Sequence, residues 1–212
     1  MYTQMKQMRI LFFDTETSGL PHVRKAPIEL VENWPRIVQI AWQVLDFTKE
    51  DSPQLVKQVS YILRPDYDTW DAKSESIHGI SRERAETEGK IGKDVLREWV
   101  EDSRDSVVVA HNLAFDKPVL LAECIRSGFG KDCWPVREYC TMANSTSLLK
   151  LPSKYPKPHD PYKYPTLKEL VTFLFGSSEN IAFHTAGGDV ECLVRCFREL
   201  LRRRVVCLDT LR

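Results

Sequence analysis

The sequence predicts an α/β domain built on a mixed sheet of five strands, with helices flanking the sheet. Two observations carry this prediction. Three apolar segments near the amino terminus have the pattern of consecutive strands, and the remaining segments alternate between strand-like and helical patterns. A chain of 212 residues is long enough for one sizeable core. We therefore expect one domain over residues 1–212, with its core between about residues 9 and 204.

The three amino-terminal strands are predicted at residues 10–13, 36–47 and 55–65. The first is a short continuous apolar run, which is typical of a central strand buried on both faces. A polar loop over residues 21–35 precedes the second strand, and a charged turn joins the second strand to the third as a hairpin. Pro65 ends the third strand. The sheet therefore begins as a meander.

The second half of the chain alternates helices with strands. Ser81 follows a glycine turn and is expected to cap a helix. An amphipathic helix is predicted at residues 93–103, a buried strand at 106–112, a helix closed by glycine at 114–130 and a last strand at 133–142. Thr166 and Gly176 bound a further helix. Residues 189–204 carry their apolar side chains on one stripe of a long helix.

The composition is that of an ordinary globular chain. Lys and Arg total 30, as do Asp and Glu, so the zero net charge gives no sign of a nucleic-acid binder. A nuclease site made of acids and metal needs no basic excess, because the ions supply local positive charge. The six cysteines form no CxxC pattern and are expected to be reduced thiols. No apolar run indicates a signal peptide or a membrane span, so we expect a cytoplasmic protein without membrane contact.

Residues 148–168 differ in composition from the rest of the chain. They contain five prolines, five lysines and three tyrosines. Basic and aromatic residues interleaved on a stiff loop can follow a single nucleic-acid strand. A solvated connector between two elements can have the same composition, and we favour that interpretation of this segment.

Four acidic residues and one histidine stand at the ends of predicted strands or the starts of predicted helices. Asp14 and Glu16 follow the first strand and point to the same side, since side chains alternate along a strand. Two carboxylates held in this way repel each other unless a cation or a proton lies between them. Asp116 follows the strand at 106–112, and Asp189 begins the last helix, five residues after His184. An α/β fold brings such positions to one edge of its sheet, where ligands bind.

The same residues resemble the three motifs of the DEDD exonucleases, a superfamily with an RNase H-like fold. FDTETSGLP is similar to the first motif, HNLAFD to the second and HTAGGD to the third, in the family's order. The histidine five residues before Asp189 places the chain with the DEDDh (DnaQ-like) version, because position 185, where the other version has tyrosine, is Thr185. IHGIS at residues 77–81 also resembles a turn of the family. The pair Gly187-Gly188 departs from the pattern as an unusually flexible approach to Asp189.

The resemblance implies a site with two divalent cations, Mg²⁺ or Mn²⁺. Carboxylates are hard oxygen ligands that suit these ions. By the family pattern Asp14 would bridge both ions, while Glu16 and Asp189 would complete the ion on the side of the attacking water. Asp116 would serve the other ion. His184 would be the general base, since imidazole often takes a proton near neutral pH.

The resemblance also implies a set of substrate contacts. The backbone of residues 15–17 would meet the terminal 3′-hydroxyl. Leu20 would wedge against the last base with Phe115 beside it, and His78 would lie near the terminal sugar. Ordinary packing is an equal alternative for these three side chains, and His111 and Asn112 are expected to orient the second motif rather than contact the metals. The residues assigned to substrate are Thr15, Thr17, Leu20, His78, Asn112 and Phe115.

The function that follows is metal-dependent 3′-to-5′ exonuclease activity on single-stranded nucleic acid, with DNA as the expected substrate and nucleoside 5′-monophosphates as products. One alternative is the same activity on RNA ends, because the motifs concern the phosphate backbone and the metal ions and do not distinguish DNA from RNA. A second alternative is an inactive nucleic-acid or polymerase-associated binding module, which the intact set of five catalytic positions argues against. The chain ends soon after its last helix, so a stand-alone enzyme is expected rather than a polymerase subunit.

Overall fold

A mixed sheet of five strands forms the centre of the fold, in the order β3-β2-β1-β4-β5. We describe it from a computed structural model, which covers residues 8–178 and 183–211. Strands β1, β2 and β3 form an antiparallel meander, β4 pairs with β1 in parallel, and β5 pairs with β4 in parallel. The predicted mixed sheet is therefore confirmed. The strands are β1 Arg9–Thr17, β2 Ile37–Asp46, β3 Gln54–Ile62, β4 Ser106–Ala110 and β5 Glu138–Cys140.

Helices cover both faces of this sheet. Four of them were predicted: α3 and α7 from an apolar face, α4 from its closing glycine, and α6 from its bounds at Thr166 and Gly176. Ser81 caps α2 as expected, accepting a hydrogen bond from the N–H of Arg84. The short helices α1 and α5 were not predicted, because neither has a strong apolar stripe. The helices are α1 Ala72–His78, α2 Arg82–Glu88, α3 Gly92–Ser103, α4 Leu113–Arg126, α5 Thr141–Leu149, α6 Leu167–Phe175 and α7 Ala186–Arg202, with 3₁₀ turns at Val31–Asn33 and Leu208–Leu211.

The central strand β1 is buried on both faces, as its apolar run predicted. Ile10 and Phe12 pack in the core that includes α6 and α7. Leu11 and Phe13 pack in the core that includes α3 and α4. All four side chains are fully buried. Even-numbered positions of β1 therefore face α7, and odd-numbered positions face α4.

Strand β1 continues beyond the end of its parallel neighbour. The pairing of β1 with β4 runs from Arg9 opposite Ser106 to Phe12 opposite Val109. On the other side β1 stays paired with β2, and Glu16 lies opposite Gln39. Residues 14–17 therefore have an open edge on the β4 side, and the acids predicted to follow the strand lie inside it. We call this open edge the β1 notch.

The segment at 148–168 contains two short strands. Residues Pro152–Lys157 form β6 and Asp160–Tyr162 form β7, which pair as an antiparallel hairpin. The segment was predicted as a loop, and that prediction missed these two strands. Each strand of a two-stranded hairpin has one free edge, so prolines can occupy positions whose N–H the ladder does not use.

Two expectations about the whole chain can be compared with the structure. All six cysteines are free. In the described ranges, no helix combines the length with the apolar character that a membrane span requires.

Candidate active site

Three carboxylates meet at the β1 notch. Asp14 and Glu16 come from the α7-facing side of β1, and Asp189 comes from the first turn of α7. One oxygen from each of the three residues lies within 4.8 Å of the others, and all three side chains are half-buried. The period of two along β1 and the packing of α7 on that face explain why the sequence brings them together.

Asp116 approaches this group from the other face of β1. It lies in the first turn of α4, is only 3% exposed, and accepts a hydrogen bond of 2.8 Å on Oδ1 from the hydroxyl of Thr15. It is outside the three-carboxylate group, but it is close enough to raise the pKa of both Asp14 and Glu16. All four predicted acids therefore lie near one another, and Asp116 lies outside the group formed by the other three.

The four carboxyl groups hold protons unusually strongly. Burial first, and then repulsion from Asp116, Asp189 and Glu16, raises the pKa of Asp14 well above its usual range. Burial and the neighbouring acids raise the pKa of Glu16 to about 7. Burial also raises the pKa of Asp116 to about 7 against the opposing hydrogen bond from Thr15, and it raises that of Asp189. Cations or protons are needed to stabilise such a cluster.

His184 lies beside the carboxylates on the approach to α7. Its backbone N–H donates to Oδ2 of Asp189 at 3.0 Å, and its own φ of 69° is in the left-handed region. Thr185 then caps the helix, accepting a hydrogen bond of 3.2 Å from the N–H of Gly188. The His184 side chain is exposed and lines the same cleft as Asp14 and Asp189. The predicted base is therefore within the site.

Gln39 is a positioning residue that the sequence analysis missed. Its Oε1 accepts a hydrogen bond of 3.0 Å from the N–H of Ala186, the first residue of α7. Because Gln39 is also opposite Glu16 in the sheet, it ties the start of α7 to the strand that carries two of the acids. Its polar side chain stands among apolar residues of β2, but Gln43 in the same strand has the same side chain, so the sequence alone does not single out Gln39.

His111 and Asn112 lie at the junction of β4 and α4, where both form contacts with neighbouring residues. Burial lowers the pKa of His111 to about 4, so the ring is neutral at neutral pH. Its Nε2 is 3.0 Å from the carbonyl oxygen of Pro165 and must carry the hydrogen, while Nδ1, 3.0 Å from Thr141 Oγ1, is free to accept. Asn112 begins α4 with a φ of 97°, and its carbonyl accepts from the N–H groups of Phe115 and Asp116.

A cleft of about 500 Å³ opens over the carboxylates. Its floor includes Asp14 and Asp189. The wall formed by the start of α6, and the position of Phe183, were not foreseen, because nothing in the local sequence distinguishes them from ordinary loop and helix residues. The lining residues are Asp14, His111, Thr166, Leu167, Lys168, Phe183, His184 and Asp189.

The predicted substrate contacts occupy different environments. Thr15 and Thr17 are almost buried in β1, and Leu20 is 74% exposed on the loop that follows. Phe115 packs beside the core under α3 and α4, which is the packing alternative. His78 is only 6% exposed, and its Nδ1 accepts a hydrogen bond of 3.1 Å from the N–H of Ile80. Of these side chains, Leu20 is the one most available to a ligand.

A polar network anchors the loop that carries Leu20. Ser18 exchanges hydrogen bonds with the backbone of Arg36, donating from N–H at 2.9 Å and accepting on Oγ at 3.0 Å. The Arg36 guanidinium donates to Glu123 of α4 at 2.6 Å and lies 4.6 Å from the centre of the Tyr67 ring. The exposed Leu20 therefore projects from a loop whose start is fixed.

Comparisons with known proteins point to nucleases. The RNase T family model, described as exonuclease, matches residues 11–197. The fold resembles E. coli exonuclease I in complex with a dA16 oligonucleotide, with a TM-score of 0.70 and 17% identity over 93% of this chain and 42% of the other. The zinc-bound form of the E. coli exonuclease I–ssDNA complex has a TM-score of 0.71 and 17% identity, over 97% of this chain and 43% of the other. Exonuclease I from Methylocaldum szegediense has a TM-score of 0.66 and 18% identity, over 93% of this chain and 41% of the other.

The similar solved structures share the fold of this chain, which is RNase H-like. The chain spans less than half the length of the exonuclease I chains it matches. No match was found among curated protein sequences.

Proposed function

Because the chain belongs to the RNase T family of exonucleases, we propose that it is a 3′-to-5′ exonuclease of the DEDDh type. Its substrate is the 3′ end of single-stranded DNA, and its products are nucleoside 5′-monophosphates. The observation that carries this proposal is the group formed by Asp14, Glu16 and Asp189, with His184 lining the same cleft. The matched residues 11–197 are proposed to form the catalytic domain.

The carboxylates fit divalent cations. Three oxygen donors within 4.8 Å of one another suit a hard ion such as Mg²⁺ or Mn²⁺. The raised pKa values of Asp14 and Glu16 fit as well. Burial is their main cause and repulsion between the acids adds to it, and bound cations would stabilise the ionised carboxylates against both. We propose two ions, held by Asp14, Glu16 and Asp189 with help from Asp116. When bound, they would supply positive charge that stabilises the attacking and leaving oxygens of a phosphodiester.

His184 has the position of a general base. A water oxygen attacks the terminal phosphorus, and a ring nitrogen of His184 takes a proton from that water. The bond from phosphorus to the 3′-oxygen of the preceding nucleotide breaks, and this oxygen takes up a proton from solvent. The products are a nucleoside 5′-monophosphate and a strand shortened by one nucleotide. Asp189 holds the backbone N–H of His184 and so orients the base.

Single-stranded DNA is the proposed substrate for two reasons. Two of the similar structures are exonuclease I in complex with a dA16 oligonucleotide and with single-stranded DNA. The cleft is open at the surface and has Lys168 on its wall, where a backbone phosphate would find a positive charge.

The test is a digestion assay with 5′-labelled oligomers of matched DNA and RNA sequence, in Mg²⁺, Mn²⁺ and excess chelator. We expect a ladder that shortens from the 3′ end, more slowly on a 3′-phosphorylated oligomer, and no cleavage in chelator. If the RNA oligomer is digested faster than the DNA oligomer, the proposed substrate is RNA and not DNA. Binding without cleavage in either metal would identify an inactive binding module, and full activity in chelator would exclude the metal mechanism.

A further inference from the structure

The exposed β6–β7 hairpin is joined directly to the wall of the cleft. The N–H of Lys163 donates to the carbonyl oxygen of Leu151 at 3.0 Å and closes the base of the hairpin. Four residues after the end of β7 at Tyr162, the chain reaches Thr166, which already lines the cleft. Pro165, between them, is buried and held by His111 at 3.0 Å. The hairpin is thus attached to the site by a short, anchored piece of chain.

A second groove runs from the cleft to the base of this hairpin. It has a volume of about 520 Å³ and shares Thr166 and Lys168 with the cleft, so the two spaces adjoin. Its remaining lining is partly apolar and includes Phe173, which is 45% exposed. An apolar groove that opens from the cleft can hold a flat base while Lys168 lies near the phosphate backbone. The lining residues are Leu149, Leu151, Thr166, Lys168, Glu169, Thr172 and Phe173.

The hairpin itself presents positive charge and aromatic rings to solvent. Tyr155 is 77% and Tyr164 59% exposed. Lys150, Lys154 and Lys157 are exposed, and none of them forms an ion pair with a described residue, in contrast to Lys163, which pairs with Glu169. The Lys154 Nζ lies 5.5 Å from the centre of the Tyr155 ring. We call Lys150, Lys154, Tyr155, Lys157 and Tyr164 the hairpin surface.

We propose that the groove and the hairpin surface form an extended binding site for a single nucleic-acid strand that leaves the cleft. The lysines contact phosphates, and bases stack on Tyr155 and Tyr164. The identity of the occupant rests on the proposed function. Exposed rings beside cations match the chemistry of single strands, in which every base offers a face for stacking. An acidic protein segment would use the lysines and leave the rings without a partner.

The length of the hairpin sets the expected size of this site. Six residues of β6 at about 3.3 Å each extend roughly 20 Å. A stacked strand rises about 3.4 Å per nucleotide. The hairpin surface therefore reaches about six nucleotides beyond the cleft, and short oligomers cannot use it.

The test measures the binding of fluorescent dT20 and dT3 in excess chelator, where the proposed reaction does not occur. We expect Lys154→Glu/Lys157→Glu to weaken dT20 binding about tenfold or more and to reduce its salt dependence by about 0.7 per lost phosphate contact. Tyr155→Ala should weaken dT20 binding by about 5- to 150-fold, and Tyr155→Phe should restore it. The losses for dT3 should be much smaller. The matched control is Lys49→Glu/Arg104→Glu, which changes the same charge at exposed positions outside both grooves.

The outcomes separate this inference from the proposed function. Wild-type binding of dT20 by the hairpin variants overturns the hairpin site, whether or not the protein digests DNA. Equal losses for dT3 and dT20, or an equal loss in the control variant, also overturn it. Length-dependent loss in a protein that cleaves no nucleic acid supports the hairpin site and overturns the exonuclease. Circular dichroism of each variant ensures that only folded proteins are compared.

Discussion

The two halves of the candidate site are held by different kinds of structure. Asp14 and Glu16 belong to a central strand that is paired with β2 and packed on both faces. Asp189 and His184 belong to the start of a helix, where a few hydrogen bonds fix the geometry: His184 N–H to Asp189, Gly188 N–H to Thr185 and Ala186 N–H to Gln39.

The difference teaches which changes each half will tolerate. The strand half is fixed by the whole core, so a side chain there can change its chemistry without moving. The helix half depends on individual polar contacts, so one substitution can move both Asp189 and His184. We therefore expect changes of charge to have their largest effect in the strand half, and changes of single hydrogen bonds to be felt in the helix half.

The largest effect is expected for Asp14→Asn. Losing the charge that is proposed to hold the cations should remove several kcal/mol of charge stabilisation, which corresponds to a rate loss of about 10³–10⁵-fold. The fold should survive, because the change removes the repulsion between the half-buried Asp14 carboxylate and the neighbouring acids. Single-turnover cleavage and thermal melting of the metal-free protein test the two parts. A folded variant that cleaves at the wild-type rate would remove Asp14 from the site.

The helix half should respond differently to His184→Ala. Removing a positioned general base costs about 10²–10⁴-fold in rate. Metal affinity should stay near the wild-type value, because His184 is not proposed as a ligand. Calorimetric titration with Mn²⁺, run beside single-turnover kinetics, separates this pattern from that of Asp14→Asn. A parallel loss of metal affinity would mean that the histidine acts by holding the site together.

Gln39→Leu tests the tie between the two halves. It leaves the Ala186 N–H without its acceptor, and a lost hydrogen bond of about 1.4 kcal/mol corresponds to roughly a tenfold loss in rate and Mn²⁺ affinity. Gln43→Leu is the matched control, since Gln43 lies in the same strand and contacts no end of α7 in the hydrogen bonds found for the described residues. Equal effects of the two changes would show that the strand, and not the tie, is responsible.

The stability of the metal-free protein should depend on pH because the pKa of Glu16, in the strand half, is raised. Glu16 has a pKa of about 7 in the folded protein, against 4.5 when unfolded, so the folded state binds more protons between these values. The metal-free protein should therefore lose stability as the pH rises from about 4.5 to about 7. Added Mg²⁺ should raise the melting temperature most at the upper end. A melting temperature that rises across this window in the metal-free protein would contradict the raised pKa.

The smallest effect is expected for Gly187→Ala in the helix half. A Cβ there would meet Ser60 Oγ at 3.5 Å, an ordinary contact, so the helix should gain about 0.5–1 kcal/mol. Gly89→Ala is the contrasting control, because its Cβ would lie 2.6 Å from the backbone nitrogen of Arg64 and should destabilise the protein. Chemical denaturation measures both changes. A slower cleavage rate in a more stable Gly187→Ala protein would show that the glycine pair must move during the reaction.

The sequence predicted the strand half better than the helix half. Alternation along β1 is enough to place Asp14 and Glu16 on one face, and three motifs in order pointed to Asp116, Asp189 and His184. The role of Gln39 was not predictable, because it depends on which residue of β2 lies opposite Glu16. The hairpin at 148–168 was missed for a different reason. Five prolines argue against a strand inside a sheet. In a hairpin each strand has a free edge, where a missing N–H costs no ladder hydrogen bond, so the same prolines are tolerated.

The β1 notch also limits how the length of this chain can change. Its open edge exists because β4 stops while β1 continues through residues 14–17. Two residues inserted after Ala110 would let β4 extend beside Asp14 and would carry Asp116 away from Thr15. The same insertion in the turn after Asp46 would only lengthen a loop, at a cost that grows slowly with loop length. Insertions and deletions should therefore be rare at the end of β4 and frequent between β2 and β3, even though both are surface connections of one sheet.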